Sequence, residues 1–155
     1  MAALDLVPVT TGSRTATDQL VLRTAAAPTT SYVATTNTCN TIGWEYVLFS
    51  IAYTNGDETS IQIVAQLYDG TTWQDTSFKA TQGSAVSEVT SDVLQLTKAT
   101  YSTRYGAGTV GNIALPAISC LGFQQARLLI KSTGGTPTGT IGVTATAGIT
   151  SKFGR

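Results

Sequence analysis

Short segments with a strict two-residue alternation constrain this chain more than any other feature. In the segment from Thr140 to Ala147, apolar Ile141, Val143 and Ala145 alternate with Thr and Gly residues. Successive side chains of a β-strand point to opposite faces of the sheet, whereas a helix repeats every 3.6 residues. The alternation therefore predicts a strand with one face buried and one face exposed.

Other apolar segments between turn signals also predict strands. Trp44 to Tyr53 is apolar on both faces, which predicts a central strand covered on both sides. Further strands are predicted at 61–68, 72–79 and 126–131. Asn55-Gly56 predicts a hairpin, because both residues tolerate positive φ, and the turn of 132–139 predicts a second one. Many short strands joined by turns predict an all-β fold, either a β-sandwich or a jelly roll.

The middle of the chain is open to more than one interpretation. The segment from Val86 to Leu96 fits a short helix or irregular strands, and 97–105 fits a strand equally well. Gly106 to Gly111 matches G-x-G-x-x-G, but Pro116 follows too soon for the helix that a dinucleotide site requires, so we predict a loop. Pro116 also restricts any strand near it to a sheet edge. No repeat of about twenty residues or more is visible.

The domain organisation is predicted as an extended N-terminal arm with short strands at 1–40, a β-sandwich domain at 41–150 and a C-terminal tail at 151–155. The arm is expected to be disordered, or ordered by a neighbouring subunit or by its own domain. The first residues lack the basic and apolar regions of a signal peptide, and no apolar run is long enough to predict a membrane helix.

The charge content favours assembly over other roles. Only 12% of the residues are charged and the net charge is zero, against about a quarter charged in typical domains. A weakly charged, Thr-rich surface suits a chain that packs against copies or partners, although Thr is also common in strands. The nine basic residues are scattered, so neither nucleic acid nor a membrane is an expected partner.

The side chains that catalysis normally requires are scarce. There is no histidine, which excludes Ser-His-Asp and Cys-His sites, and most acidic residues fall in predicted turns. Two cysteines, Cys39 and Cys120, do not make a metal site, and they fit one disulfide or two buried thiols. We therefore expect no enzyme activity, no catalytic residues, no metal and no cofactor.

One turn carries a binding hypothesis. Tyr68-Asp69-Gly70 leads to Trp73, an arrangement in which an exposed aromatic ring can stack on a sugar. The alternative is a hairpin turn with Trp73 in the core.

The strand with Trp44 and Tyr46, the turn of 68–73 and the segment from Gln125 through Gly139 resemble small β-sandwich proteins of tailed-bacteriophage virions. The resemblance covers residues 43–148. It implies a capsid decoration (cement) protein, made in the host cytoplasm and located on the capsid surface. The implied partners are the major capsid protein and copies of the chain, in a homo-oligomer such as a trimer.

Such proteins use extended arms to reach adjacent subunits, so the resemblance predicts partner contacts in the arm. A deletion of 1–25 is then expected to fold but not to bind capsids. Tail or neck components are alternatives, as is a carbohydrate- or receptor-binding virion module that uses Trp73 and Tyr68. The predicted partner-binding residues are Leu4, Leu6, Val7, Val9, Arg14, Leu20, Leu22 and Arg23.

Overall fold

The computed structural model describes residues 3–4, 20–76, 88–90 and 93–148. These residues form thirteen strands and one helix, and the strands make two mainly antiparallel sheets. The prediction of an all-β sandwich is confirmed.

Sheet A contains eight strands in the order β1-β4-β12-β6-β9-β8, with β3 also paired to β12 and β7 to β6. Sheet B contains five strands in the order β10-β5-β13-β2, with β11 also paired to β5. The helix α1 spans Lys98–Tyr105. The strands of sheet A are β1 (Ala3–Leu4), β3 (Val33–Ala34), β4 (Thr38–Asn40), β6 (Ser60–Tyr68), β7 (Trp73–Thr76), β8 (Glu88–Thr90), β9 (Val93–Thr97) and β12 (Gln125–Thr133). Those of sheet B are β2 (Leu20–Ala26), β5 (Tyr46–Thr54), β10 (Val110–Ala114), β11 (Ile118–Ser119) and β13 (Thr140–Gly148).

The core lies between the two sheets and is formed by alternate residues of the long strands. Phe49, Ile63, Leu128 and Ile141 are completely buried, as the alternation predicts. Trp44 lies at the rim and only packs against the core. Strand β5 is central in sheet B, but its second face is half-exposed, so the prediction that both of its faces are covered is wrong for the described residues.

The two predicted hairpins at 54–58 and 132–139 are wrong. Strands β5 and β6 belong to different sheets, and so do β12 and β13, so both turns cross from one sheet to the other. The buried carboxylate of Glu58 accepts hydrogen bonds from Gly56 N in the first crossover and from Gly139 N in the second. Turn residues predict a chain reversal but not the sheet that receives the next strand. The Asp69-Gly70 turn is a true hairpin, because β6 pairs with β7.

The sandwich contains an internal repeat that the sequence analysis did not detect. Tyr46 of β5 pairs with Ser119 of β11, and its counterpart Gln125 of β12 pairs with Asn40 of β4. The longer pairings are equivalent in the same way: β5 pairs with β13 over nine residues, and β12 pairs with β6 over nine residues. A pseudo-twofold operation thus exchanges β5 with β12, β6 with β13 and β4 with β11.

The sequence match between the two halves lies mainly at inward positions of the strands and in two short turns, and it is too sparse to be visible as a repeat. Phe49, Ile51 and Ile61 correspond to Leu128, Ile130 and Ile141, all of them buried. Outward positions differ, and the second crossover is one residue longer than the first. Each half contributes strands to both sheets, so the two halves interlock.

The N-terminal prediction requires correction. Residues 20–40 supply β2, β3 and β4 to the two sheets, so the sandwich domain includes most of the segment predicted as an arm. Leu22 is completely buried in the core, and its predicted role as a partner contact is therefore wrong. The Arg23 guanidinium is held by the carbonyl oxygens of Ile141, Ala26 and Ala27.

In the middle of the chain, 88–90 and 93–97 are strands and 98–105 is a helix. A loop at 106–109 follows the helix, with positive φ at Gly106 and Gly108, and leads into β10 instead of a helix. Pro116 separates β10 from β11 along the edge of sheet B, as predicted.

Candidate functional site

Each sheet has one outer face, and the two faces differ in chemistry. Face A is the outer face of sheet A together with Tyr32 beside it. Face B is the outer face of sheet B. The outward residues of face A include Tyr32, Gln62, Val64, Gln66, Tyr68, Trp73, Asp75, Arg127, Leu129 and Lys131. Those of face B include Val21, Leu48, Ser50, Ala52, Asn112, Ala114, Gly142, Thr144 and Thr146.

Trp73 lies on face A in a stack of planar groups. It pairs across the hairpin with Tyr68, and the two ring centroids are 5.1 Å apart at an angle of 37°. The Arg127 guanidinium carbon lies 3.9 Å from the centroid of the Trp73 ring. Trp73 is half-exposed and is absent from the core cluster, so the interpretation of Trp73 as a core residue is wrong.

The orientation of Arg127 is fixed by a chain of hydrogen bonds. Arg127 Nε donates to Gln66 Oε1 at 2.8 Å, and Gln66 Nε2 donates to Asp75 Oδ1 at 2.7 Å. These three residues lie in one cross-strand row over β12, β6 and β7. The amide of Gln66 therefore separates the cation from the carboxylate.

A second cation–aromatic pair lies farther along β12. Lys131 Nζ is 4.6 Å from the centroid of the Tyr32 ring, and Tyr32 Oη donates to Gln62 Oε1 at 3.3 Å. Gln62 and Lys131 face each other across β6 and β12. Both pairs thus combine a cation of β12, an aromatic ring and a glutamine of β6.

Asp69 rigidifies the turn that presents Trp73. Its carboxylate accepts hydrogen bonds from the backbone N–H groups of Thr71 and Thr72 and from Gln74 Nε2. The backbone bonds from Thr72 and Thr71 lower the pKa of Asp69 to about 2. The acid is therefore ionised at neutral pH, and its role is to close the turn.

Face B carries almost no charge. Arg23 is the sole charged residue in the five strands of sheet B, all of which the structure describes, and backbone oxygens hold its guanidinium. The positions equivalent to Arg127 and Lys131 are Leu48 and Ala52. At the two edges, Val21 and Val110 are 50% and 54% exposed. The result is a surface of mostly small, uncharged side chains, with Tyr46 and Leu48 of β5 as larger members.

One end of the sandwich exposes an apolar groove of about 410 Å³ between two equivalent turns. Gly43 and Gly122 adopt φ values of +82° and +84°, which requires glycine at both tips. The turns exchange backbone hydrogen bonds, from Thr41 N to Gln124 O and from Cys120 N to Glu45 O. Beside the glycines, Ile42 and Leu121 are 65% and 63% exposed.

The cysteines are free, and both are buried. Burial raises the pKa of the Cys39 thiol to about 12 and that of Cys120 to about 11, so neither is a thiolate at neutral pH. The described residues contain no group of three or more side chains that could bind a metal ion. No described helix is long and apolar enough to cross a membrane.

The structure places the predicted site residues in different locations. Tyr68 and Trp73 are together on face A, whereas Leu20 and Leu22 line the core side of β2 and Arg23 is tied to the backbone. Leu4 belongs to β1, and only its backbone is described. The predictions for Leu6, Val7, Val9 and Arg14 lie outside the described residues.

The sequence patterns did not identify five residues of face A: Arg127, Lys131, Gln62, Gln66 and Tyr32. A signal for the two cations was available, because Arg127, Leu129 and Lys131 alternate with buried residues in β12 and must share its outer face. The glutamines and Tyr32 required the pairing of β6 with β12.

Comparison of the chain with protein-family models, with curated proteins and with solved structures gave no match.

Proposed function

We propose that this chain is a structural protein of a tailed-bacteriophage virion, without enzyme activity, that decorates the capsid and stabilises it at subunit junctions. Its partners are the major capsid protein and copies of itself in a homo-oligomer such as a trimer. It is made in the host cytoplasm and resides on the capsid surface. The observation that carries the proposal is the nearly uncharged outer face of sheet B.

A face of this kind suits burial against another protein. The five strands of sheet B contain 32 residues, and at about 4.8 Å between strands and about 3.3 Å per residue they cover a projected area of about 500 Å². A standard interface buries about 800 Å² on each partner, so face B can supply more than half of one. Interface centres are depleted in charged residues, and hydroxyl and amide groups cost much less to remove from water than charges do.

We further infer that the sandwich is a jelly roll. The order β10-β5-β13-β2 opposite β4-β12-β6-β9 supports this inference, because eight strands divided between two four-stranded sheets are typical of that architecture. Viral capsid domains and lectins use jelly rolls. This support is analogy at the level of the fold, and the role itself rests on face B.

The test introduces a charge on face B. In Ala52→Lys, a lysine occupies the position that Lys131 occupies in the other half, so the scaffold should accept it. We expect the variant to fold but to bind empty shells of the virus that carries the chain at least tenfold more weakly, because a lysine would be desolvated without a partner. Co-sedimentation and cryo-EM of mixtures measure the binding.

The matched control is Lys131→Ala, the reverse exchange on face A, which should bind shells like the wild type. Full shell binding by Ala52→Lys would contradict the proposal. Mass photometry of the free protein separates the alternatives, because a decoration protein gives small oligomers whereas a tail or neck component gives rings.

A further inference from the structure

The two cations in the cation–aromatic pairs of face A have no acidic partner among the described residues, a feature that stability alone does not require. Among the described residues, neither Arg127 nor Lys131 forms a salt bridge, since that interaction is found only between Lys98 and Asp57. Gln66 accepts from Arg127 Nε, and within the same residues the two terminal NH₂ groups of Arg127 have no acceptor. Trp73 and Gln66 thus orient Arg127, and most of its donors have no acceptor in the part of the chain that the structure describes.

The internal repeat shows that the fold does not need these groups. The equivalents of Arg127 and Lys131 on face B are Leu48 and Ala52, and the equivalents of Gln66 and Gln62 are Thr146 and Gly142. The same strand pairing therefore forms with small neutral side chains. The polar and aromatic groups of face A are additions to the scaffold.

The chemistry of face A selects a class of ligand. An oriented guanidinium with free NH₂ groups binds a carboxylate through charge-assisted, two-point hydrogen bonds. Aromatic rings beside it offer apolar area for the C–H faces of sugar rings, as in many sites that bind a polar ligand with an apolar face. Four residues of strand separate Arg127 from Lys131, about 13 Å, so a ligand that contacts both must span several sugar rings.

We propose that face A binds an acidic oligosaccharide. Its carboxylates pair with Arg127 and Lys131, and its ring faces lie against Tyr68, Trp73 and Tyr32. A nucleic acid is less suited to this surface, because its affinity depends on neutralising many phosphates and the described part of face A offers two cations, Arg127 and Lys131. The proposal does not depend on capsid decoration, because shell binding is assigned to face B.

The test compares acidic with neutral probes, and the mannuronate hexamer and mannohexaose are a matched pair that differs only in the carboxylate. The full-length protein is titrated by calorimetry and by tryptophan fluorescence with β-1,4-linked mannuronate hexamer, with guluronate and hyaluronan hexasaccharides, and with neutral β-1,4-mannohexaose. We expect at least one acidic oligosaccharide to bind, mannohexaose to bind at least tenfold more weakly than any acidic ligand found, and the affinity to fall as salt is added.

Arg127→Gln should weaken binding about tenfold or more, because a hydrogen-bonded charge pair is lost. Lys131→Gln should weaken it less, since its ammonium makes a single point contact. Arg104→Gln is the matched control: Arg104 also stacks on an aromatic ring, 5.5 Å from the centroid of Tyr105, but on α1.

Three results would overturn the proposal. They are no binding of any acidic oligosaccharide, equal losses in Arg127→Gln and Arg104→Gln, and binding of single-stranded DNA of equal charge at the same affinity. Circular dichroism of each variant confirms that it folds. The shell-binding assay with Ala52→Lys is unaffected by any of these outcomes, so the two proposals can fail separately.

Discussion

Glu58 is the residue that connects the two crossovers of the sandwich. Its side chain is completely buried, Oε1 accepts from Tyr53 Oη at 2.6 Å and from Gly56 N at 2.9 Å, and Oε2 accepts from the N–H groups of Thr138 and Gly139 at 3.2 and 3.1 Å. A Cβ on Gly139 would lie 2.2 Å from Glu58 Oε1, so only glycine allows this approach. Four donors therefore compensate the buried charge.

We expect Glu58→Gln to lower the free energy of unfolding by about 2 kcal/mol or more, because the amide NH₂ would face N–H donors and leave them unsatisfied. Urea denaturation measures the loss. Asp57→Asn is the control: Asp57 is 74% exposed and 3.8 Å from Lys98 Nζ, and an exposed ion pair contributes less than about 1 kcal/mol. Equal losses in the two variants would show that the Glu58 network adds nothing special.

The same carboxylate adds a dependence on pH. Burial alone would raise the pKa of Glu58, but the hydrogen bonds from Tyr53 and from backbone N–H groups outweigh burial and bring it below 4.5. The contribution to stability is therefore fully present above pH 4.5 and is lost as the pH falls through the lower folded-state pKa. The difference in stability between wild type and Glu58→Gln should shrink over that acid range.

Residue patterns predict some of these details and not others. Alternation identified the buried faces of β6 and β13 because burial follows a period of two. It could not show that Glu58 is buried while the adjacent Asp57 is exposed, since both lie in a turn and the difference depends on the distant 138–139 backbone. Trp73 was undecided for the same reason, because its face is set by pairing with Tyr68.

At the level of elements, β2 is a strand of the sandwich where the sequence predicts an arm. Leu20–Ala26 is a short apolar piece among Thr and Ala, and the sequence predicts an arm there because no long periodic apolar stripe appears. That partner is β13, more than a hundred residues later, and bulges interrupt the pairing. Long-range pairing with irregular register leaves no local signal.

The corrected position of β2 changes the expected effect of an N-terminal deletion. Removing 1–25 should destabilise the domain strongly, because it removes most of an edge strand together with Leu22 from the core. We expect Leu22→Ala alone to lower the free energy of unfolding by about 3 kcal/mol. Chemical denaturation measures this, and Val21→Ala at the exposed neighbouring position should change stability by less than about 1 kcal/mol. If Leu22→Ala left the free energy of unfolding unchanged, β2 would belong to an arm and not to the core.

At the scale of the whole molecule, the pseudo-twofold repeat explains why the faces can differ while the core does not. Inward side chains of both halves pack together in the described core, so a substitution at any inward position affects the packing of both halves. Outward positions carry no such constraint, and one face has a cation–aromatic surface where the other has small neutral residues. The division of labour that we propose, assembly on face B and recognition on face A, follows from this freedom.

The interlocked halves also determine how the domain should unfold. Strands β5 and β12 of the two halves pair with β13 and β6 of the opposite halves, so neither half can keep its sheet pairing once the other is lost. We therefore expect one cooperative unfolding transition.

The two tryptophans of the chain can report on this transition separately. Trp44 lies before β5 and is the remaining tryptophan in Trp73→Phe, whereas Trp73 lies in β7 and is the remaining one in Trp44→Phe. Trp44→Phe introduces the residue type that Phe123 provides at the equivalent position of the other half. In each variant the fluorescence and far-UV circular dichroism transitions should coincide in urea, whereas separate midpoints would mean that one sheet or one end of the sandwich unfolds independently of the rest.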